Sequence, residues 1–248
     1  MRVAVIGVVI VLFLSFSANA GWMEEQLKNF GVVVEQQNQE KDFNLTNEDA
    51  VNSLKEALIV SVSDVIGKLG RLNGFYKDPK VHIPLPEKIK QLKDLLEMVG
   101  LEEDLNKLEL QMNRAAEKAT PKAKRIFIKA IREMSVQDAK GILKGPDDAA
   151  TQYFKRKMTP ELKDAFRPIV KRTLYKVGAI RTYDEMFEGI SEFLPFTKSR
   201  GFNFIDYVLN KTIDGIFYYM AEEEKQIRKN PAKRTTELLK KVFGFYDK

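Results

Sequence analysis

The stretch that decides the fold is residues 101–119, which read LEEDLNKLELQMNRAAEKA. Its apolar side chains recur at alternating intervals of four and three residues: Leu101, Leu105, Leu108, Met112, Ala115 and Ala119. That spacing places them on one face of an α-helix, where they can pack against neighbouring helices. The segment therefore predicts an amphipathic helix in an all-α protein.

Helical patterns with their own start and stop residues occur on both sides of this segment. Before it, Thr46 and Asp49 are spaced as a capping box, and the helix that follows ends at Gly70. The other predicted starts are Pro86, Thr120-Pro121, Ser135 with Asp138, Thr159-Pro160 and Asn230-Pro231, and the other predicted stops are Gly100, Gly145-Pro146 and Gly178. A last long helix is predicted over residues 204–229. Because we find no sustained strand alternation, the sequence predicts a compact bundle of about nine or ten helices.

Prolines mark two irregular places in this helical pattern. Residues 74–86 contain Pro79, Pro84 and Pro86, which remove backbone donors and favour extended backbone. We therefore expect a proline-rich loop there, or at most one short edge strand. Pro168 lies inside the helical pattern of residues 161–177, so we expect a kink at that point or two helices that meet end to end.

The N-terminal residues have the three-part layout of an export signal. Arg2 precedes an uncharged apolar run that ends at Leu14, and a more polar stretch then ends in small residues at Ala20. The apolar run is shorter than the roughly 20 residues of a membrane-spanning helix. We expect cleavage after Ala20, a flexible leader over residues 21–45 and one helical domain over residues 46–248, in a periplasmic or envelope-associated protein. A retained N-terminal anchor is the alternative.

The composition excludes several kinds of chemistry. The 248 residues include no cysteine and one histidine, His82. Disulfides, thiolate metal sites, cysteine nucleophiles and histidine-clustered metal centres are therefore excluded. The sequence also contains no nucleophile elbow, phosphate-binding loop or dinucleotide fingerprint. We predict no metal site and no cofactor, and we assign no catalytic residue.

Positive charge is concentrated in two places. Residues 225–248 hold eight basic and two acidic side chains, an excess that equals the net charge of +6. A basic stripe is also predicted on one helix face, at spacings of four and three residues: Lys118, Lys122, Arg125, Lys129 and Arg132. With Arg228 and Arg234 of the tail, these residues are the predicted surface for an anionic lipid, a cell-wall polymer or an envelope protein, and no nucleic acid is expected. A solvated helix face without a partner is the alternative.

One polar cluster is predicted in the helix of residues 101–119. Asn113, Arg114 and Glu117 lie within one turn of each other, beside small residues that allow close helix approach. If this face is buried, the three side chains must satisfy one another or a ligand. Together with Tyr76 and His82 of the proline-rich loop, they are the ligand-binding candidates. The alternative is an internal network that fixes the register of the helix, with His82 as a structural histidine.

Several short blocks of sequence occur in an order that resembles a known family. They are Gly74-Phe75-Tyr76, Ile83-Pro84-Leu85-Pro86, Met112-Asn113-Arg114-Ala115-Ala116-Glu117, Asp138-Ala139-Lys140, Ala149-Ala150-Thr151, Asp206-Tyr207-Val208, Asp214-Gly215-Ile216-Phe217, Ala221-Glu222-Glu223-Glu224, Ile227-Arg228-Lys229-Asn230-Pro231-Ala232 and Lys240-Lys241-Val242-Phe243-Gly244. Together they resemble the bacterial family called domain of unknown function 4197, over about Thr46 to Gly244. The resemblance implies an exported bacterial helical protein and supplies no activity.

Two functions remain open from the sequence. The first is a non-catalytic envelope protein that binds an anionic or amphipathic partner through its basic helix faces and its tail. The second is a carboxylate-dependent hydrolase, with acids drawn from Glu117 and the run Glu222-Glu223-Glu224 facing one cleft. The hydrolase requires two carboxylates about 5 to 10 Å apart in an open pocket. The binding protein requires the basic residues to share an exposed surface.

Overall fold

The computed structural model describes residues 47–91, 93–98, 100–176, 178, 181, 203–230 and 240. The predicted signal peptide and leader lie outside them, as do Thr46 of the predicted capping box, Pro231 and Arg234.

The described residues form eight α-helical segments and no strand. The segments are α1 (Asn47–Leu69), α2 (Glu87–Lys90), α3 (Lys93–Met98), α4 (Glu102–Ala119), α5 (Ala123–Arg132), α6 (Val136–Leu143), α7 (Ala149–Lys176) and α8 (Phe204–Lys229). The predicted all-α class is confirmed over these ranges, whereas the count of nine or ten helices is not confirmed. Residues 74–86 form a loop, as predicted. Of the helices in the described ranges, none combines the length and the apolar composition needed to cross a membrane.

The long helices surround one apolar core. α7 packs along α8 and against α4, and α1 packs against α5 and α8. The predicted seam of α4 lies at the centre, where its side chains expose 1% or less of their surface: Leu105, Leu108, Met112, Ala115 and Ala119. Each large apolar side chain buried in this way stabilises the fold by about 1.5–3 kcal/mol. The seam belongs to a single cluster of buried apolar residues, so the helical periodicity of residues 101–119 sets the packing.

α7 shows that neither of its prolines begins a new helix. It is one helix from Ala149 to Lys176, with Pro160 and Pro168 inside it. The predicted helix start at Thr159-Pro160 is wrong, and the Thr159 hydroxyl donates to the Lys155 carbonyl, 2.6 Å away, instead of capping an N-terminus. A row of buried side chains at intervals of four residues crosses both prolines: Phe154, Met158, Leu162, Phe166, Val170 and Leu174. Packing of this row outweighs the backbone hydrogen bonds that the prolines cannot make.

The connection between α4 and α5 also differs from the prediction. Thr120 does not cap a new helix, because its hydroxyl donates to the Ala116 carbonyl at 2.8 Å. Thr120–Lys122 instead form one 3-10 turn, and the backbone stays in the right-handed helical region from Ala119 to Ala123. The chain therefore passes from α4 into α5 without leaving a helical path. The tighter winding of a 3-10 turn rotates α5 by about 60° relative to an uninterrupted α-helix.

Several of the other helix ends follow the sequence signals. Ser135 and Asp138 form the predicted capping box at the start of α6. Gly100 and Gly178 have φ values of 84° and 76°, which side chains disfavour and which suit a helix stop. The helix predicted from Pro86 is divided into the short α2 and α3. α8 has the predicted bounds of residues 204–229.

Candidate functional site

The predicted polar cluster of α4 lies against the proline-rich loop, and its central group is Glu117. The backbone amides of Phe75 and Tyr76 both donate to Oε1 of Glu117 at 3.1 Å. Arg114 donates to Oε2 at 2.6 Å. Glu117 itself is only 4% exposed. The carboxylate thus has two backbone donors and one cation, which is the pairing that a buried charge requires.

Asn113 holds the next part of the loop through its side-chain amide. Its oxygen accepts from the Ile83 amide at 2.9 Å, and its nitrogen donates to the Ile83 carbonyl at the same distance. The nitrogen also donates to the carbonyl of Glu109 at 2.9 Å. Asn113 therefore pairs with both backbone groups of Ile83, much as a neighbouring strand would do. These bonds fix the position of Ile83, and with it the loop, along α4.

His82 is a structural link between the loop and α4. Its Nε2 lies 2.7 Å from Oε1 of Glu109, and its Nδ1 lies 2.7 Å from the carbonyl of Tyr76. Oε2 of Glu109 accepts from the Leu85 amide at 3.1 Å. The two ring nitrogens of His82 therefore face a backbone carbonyl of the loop and a carboxylate of α4. Sequence reasoning missed Glu109, which stands one turn before Asn113 on the same face of α4.

Arg114 and Tyr76 complete this group at the edge of the loop. Arg114 donates to the side-chain oxygen of Asn73 at 2.8 Å, and its guanidinium lies 5.4 Å from the centre of the Tyr76 ring. The rings of Tyr76 and His82 are 5.7 Å apart. Glu109, Asn113, Arg114 and Glu117 are called the loop clamp below. All five candidates, Asn113, Arg114, Glu117, Tyr76 and His82, are therefore brought together, with the loop itself as their partner.

α8 covers the other side of the loop. Gly215 allows the close approach, because a Cβ atom at this position would lie 2.7 Å from Cε1 of Phe75. The Tyr207 hydroxyl donates to the Pro84 carbonyl at 2.9 Å, and the Tyr219 hydroxyl donates to Asp78 at 2.6 Å. Burial raises the pKa of Tyr219, and its bond to the Asp78 carboxylate raises it further. The loop is thus held between α4 and α8.

A second buried carboxylate, Glu224, caps the start of α7. Its oxygens accept from the amides of Ala150 and Thr151 and from the Thr151 hydroxyl, each at 2.9 Å. Arg228 donates to Glu224 from Nε and Nη2 at 3.2 and 3.0 Å. This arrangement satisfies the first free amides of α7 and places negative charge at the positive end of its dipole. Glu224 and Arg228 are called the helix cap below.

The two carboxylates do not form the arrangement that the hydrolase requires. Glu117 binds the loop and Arg114, whereas Glu224 binds α7 and Arg228. Glu222 is exposed and Glu223 is half-buried on α8. Every buried side-chain nitrogen and oxygen in the described part of the chain has a hydrogen-bond partner. Among these same residues, no group of three or more acids and histidines is placed to hold a metal ion.

The residues of the predicted basic stripe are all exposed, but they do not lie on one helix, because Lys118 is on α4, Lys122 is in the 3-10 turn and the other three are on α5. The members of the stripe are Lys118, Lys122, Arg125, Lys129 and Arg132, called the basic face below, and none of their side chains forms an ion pair within the described ranges. Arg228 has a different position, because its side chain is 11% exposed and also donates to the Ile142 carbonyl at 2.7 Å. Arg228 therefore contributes to the helix cap and not to an exposed surface. Arg234 lies outside the described residues.

Comparison with known proteins identifies the family. The family model described as Protein of unknown function (DUF4197) matches residues 44–244. The chain belongs to the DUF4197 family. The matched range contains all eight helices described above, together with the loop clamp and the helix cap. No curated protein and no solved structure matches the chain. Membership of DUF4197 thus confirms the resemblance found in the sequence, and it assigns no reaction or ligand.

Proposed function

We propose that this chain is a non-catalytic binding protein of the cell envelope that engages an anionic partner through its basic face. The observation that carries the proposal is a set of five exposed cations on α4, the 3-10 turn and α5 that have no carboxylate partner within the described residues. A protein surface usually mixes both signs of charge, so a group of exposed, unpaired cations attracts anions. Acidic lipid and acidic cell-wall polymer are the partners expected for an exported chain.

The packing of α5 against the core supports the same function. Its inner side buries Ala123, Phe127, Ala130 and Ile131 in the core, which fixes the helix rigidly. Arg125 and Lys129 are exposed on that anchored helix, and Lys122 is exposed in the turn just before it. Rigid presentation reduces the entropy that is lost when a partner binds. The carboxylate-dependent hydrolase is not proposed, because Glu117 and Glu224 already hold backbone amides and arginines.

The test is binding of the chain, as its host produces and processes it, to phosphatidylglycerol vesicles and to acidic cell-wall polymer. The variant Lys122→Gln/Arg125→Gln/Lys129→Gln removes three cations of the basic face. Each basic residue near an anionic membrane is worth about 1 kcal/mol, so vesicle binding is expected to weaken by about 100-fold. Binding of the unchanged chain should also fall steeply as salt is added.

The matched control is Lys107→Gln/Arg156→Gln/Lys225→Gln, which removes two lysines and one arginine from exposed positions on α4, α7 and α8. It changes the net charge equally and should retain most of the binding. The proposal is overturned if binding ignores salt, if both triple variants lose it equally, or if neither partner binds.

A further inference from the structure

A basic cleft lies between the last turns of α4 and α7. Five residues line its cavity of about 310 Å³: Lys118, Ile169, Arg172, Thr173 and Lys176. Three of the five are cations, and no acid is among them. Arg172 and Lys176 come 54 and 58 residues after Lys118 in the chain, so their convergence is a product of the packing of α7 against α4.

The cations of the basic cleft differ from the two cations of α7 that are paired with acids of α8. Lys155 and Arg167 form ion pairs with Asp214 and Asp206 of α8. Lys118, Arg172 and Lys176 are exposed, and none of them forms an ion pair with another residue of the described ranges. Three like charges that converge on one cavity repel one another, and a bound anion removes that repulsion.

Helix ends explain only part of this arrangement. Lys118 lies in the last turn of α4 and Lys176 in the last turn of α7, where a cation gains about 0.3–1 kcal/mol from the helix dipole. That gain does not require the two lysines to share a cavity. It also does not account for Arg172, which stands one turn before the end of α7 and faces the same cavity.

We propose that the basic cleft binds a phosphomonoester, a phosphate group carried on a small organic body. Three unpaired cations match a phosphate that carries about two negative charges better than a carboxylate that carries one. The planar guanidinium of Arg172 suits two phosphate oxygens at once, with Lys118 and Lys176 as point charges. The cavity volume is at the lower end for small-molecule sites, and Ile169 supplies an apolar wall for the organic body.

This proposal rests on the proposed function for the class of partner, an anion, and it adds a defined site. It uses Arg172 and Lys176, which are not members of the basic face. The two proposals can therefore fail separately. A phosphomonoester can come from a free metabolite or from a lipid headgroup, and both present the same dianionic group to the cleft.

The test compares glycerol 3-phosphate with vesicles of phosphatidylcholine that contain phosphatidic acid, which carries the same headgroup on a lipid. Glycerol 3-phosphate is titrated into the host-processed chain in a calorimeter, and binding of the vesicles is measured by co-sedimentation. In Arg172→Gln/Lys176→Gln, affinity for the probe that binds should fall at least about 30-fold, because two charge-assisted contacts are lost. Both residues are exposed and only the helix-dipole contribution of Lys176 is lost, so the melting temperature should change by no more than about 4 °C.

Arg156→Gln/Lys225→Gln is the control variant. It removes one arginine and one lysine from exposed positions outside the cleft, Arg156 being 16 residues from Arg172 on the same helix. It should bind as the unchanged chain does. Glycerate is a small molecule of similar size that carries a carboxylate in place of the phosphate. It should bind at least about tenfold more weakly than glycerol 3-phosphate.

The outcomes separate the two sources and the two proposals. Binding of glycerol 3-phosphate supports a free metabolite as the ligand, and binding of the vesicles alone supports a lipid headgroup. In either case Arg172→Gln/Lys176→Gln, the cleft variant, must lose that binding. The basic cleft is refuted if neither probe binds, if the cleft and control variants behave alike, or if glycerate binds equally well. Phosphatidylglycerol binding that depends on Lys122, Arg125 and Lys129 would survive that refutation.

Discussion

The loop clamp and the helix cap have the same type of hydrogen-bonded glutamate, but one binds a loop and the other binds a helix. In each, a buried glutamate accepts from two successive backbone amides and from an arginine on its own helix. The cap acts on α7, whose backbone hydrogen bonds also hold its shape. The clamp acts on a loop that has few internal backbone bonds. We therefore expect similar contacts to contribute to global stability at the helix cap and to local order at the loop.

The arginines of the two devices differ in burial. The Arg228 side chain is 11% exposed, whereas the Arg114 side chain is 28% exposed. Glu224 also receives the Thr151 hydroxyl, a bond that Glu117 has no counterpart for. Loss of Glu224 therefore leaves more groups buried without partners, and we expect the larger cost in the free energy of unfolding at the helix cap.

The largest expected effect is that of Glu224→Ala. It leaves Arg228 and the first amides of α7 without an acceptor, so the free energy of unfolding should fall by about 3–5 kcal/mol, measured by urea denaturation. Glu224→Gln keeps one oxygen and should lose less. Glu222→Ala removes an exposed acid from the same helix and should change stability by less than about 0.5 kcal/mol. Equal losses in Glu222→Ala and Glu224→Ala would disprove the helix cap.

The next effect is that of Glu117→Ala, with an expected loss of about 2–3 kcal/mol. The more informative readout is hydrogen exchange, because the amides of Phe75 and Tyr76 lose their acceptor. They should exchange faster than in the unchanged chain, while the amides of Ala150 and Thr151 keep their protection. Glu103→Ala, an exposed acid on α4, is the control. Unchanged exchange at Phe75 and Tyr76 would contradict the loop clamp.

Gly215→Ala tests whether packing on α8 holds the loop independently of the loop clamp. The added Cβ would lie 2.7 Å from the Phe75 ring and 3.2 Å from Val81, so the loop must shift. We expect a loss of about 1–3 kcal/mol, measured by denaturation. Gly141→Ala is the control, because nothing lies within 4 Å of a Cβ there. A Gly215→Ala variant as stable as this control would show that the loop tolerates displacement.

The smallest effect is that of Asp78→Asn, with an expected loss of about 0.5–1.5 kcal/mol at neutral pH. Burial raises the pKa of Asp78, but hydrogen bonds from Tyr219 and from the Lys80 amide, with the charge of Lys68, lower it overall. A lowered folded pKa means that the carboxylate stabilises the fold above its ordinary pKa. That contribution is lost as the pH falls through the lowered value. The unchanged chain and Asp78→Asn should therefore become equally stable in strong acid. A difference in their free energies of unfolding that grows as the pH falls would contradict this prediction.

The sequence predicted the fold better than it predicted the site. Local spacing was enough for α4, for the Ser135 capping box and for the bounds of α8, because helix periodicity and capping act within a few residues. The start at Thr159-Pro160 is wrong because burial of Phe154, Phe166 and their neighbours depends on the helices packed against α7, which are α4, α5 and α8. Asn113, Arg114 and Glu117 were correctly grouped, but their partner, the loop, was not foreseen.

The sequence by itself determined the helical class, the family and which face of α4 and α5 is polar. Each of these follows from residue types a few positions apart. Only the tertiary structure decided that Glu117 and Glu224 hold backbone amides, and that Arg172 and Lys176 join Lys118 around one cleft. Those groups are brought together by helix packing over separations of 41 to 74 residues. Side-chain chemistry at such separations depends on distances that local periodicity does not encode.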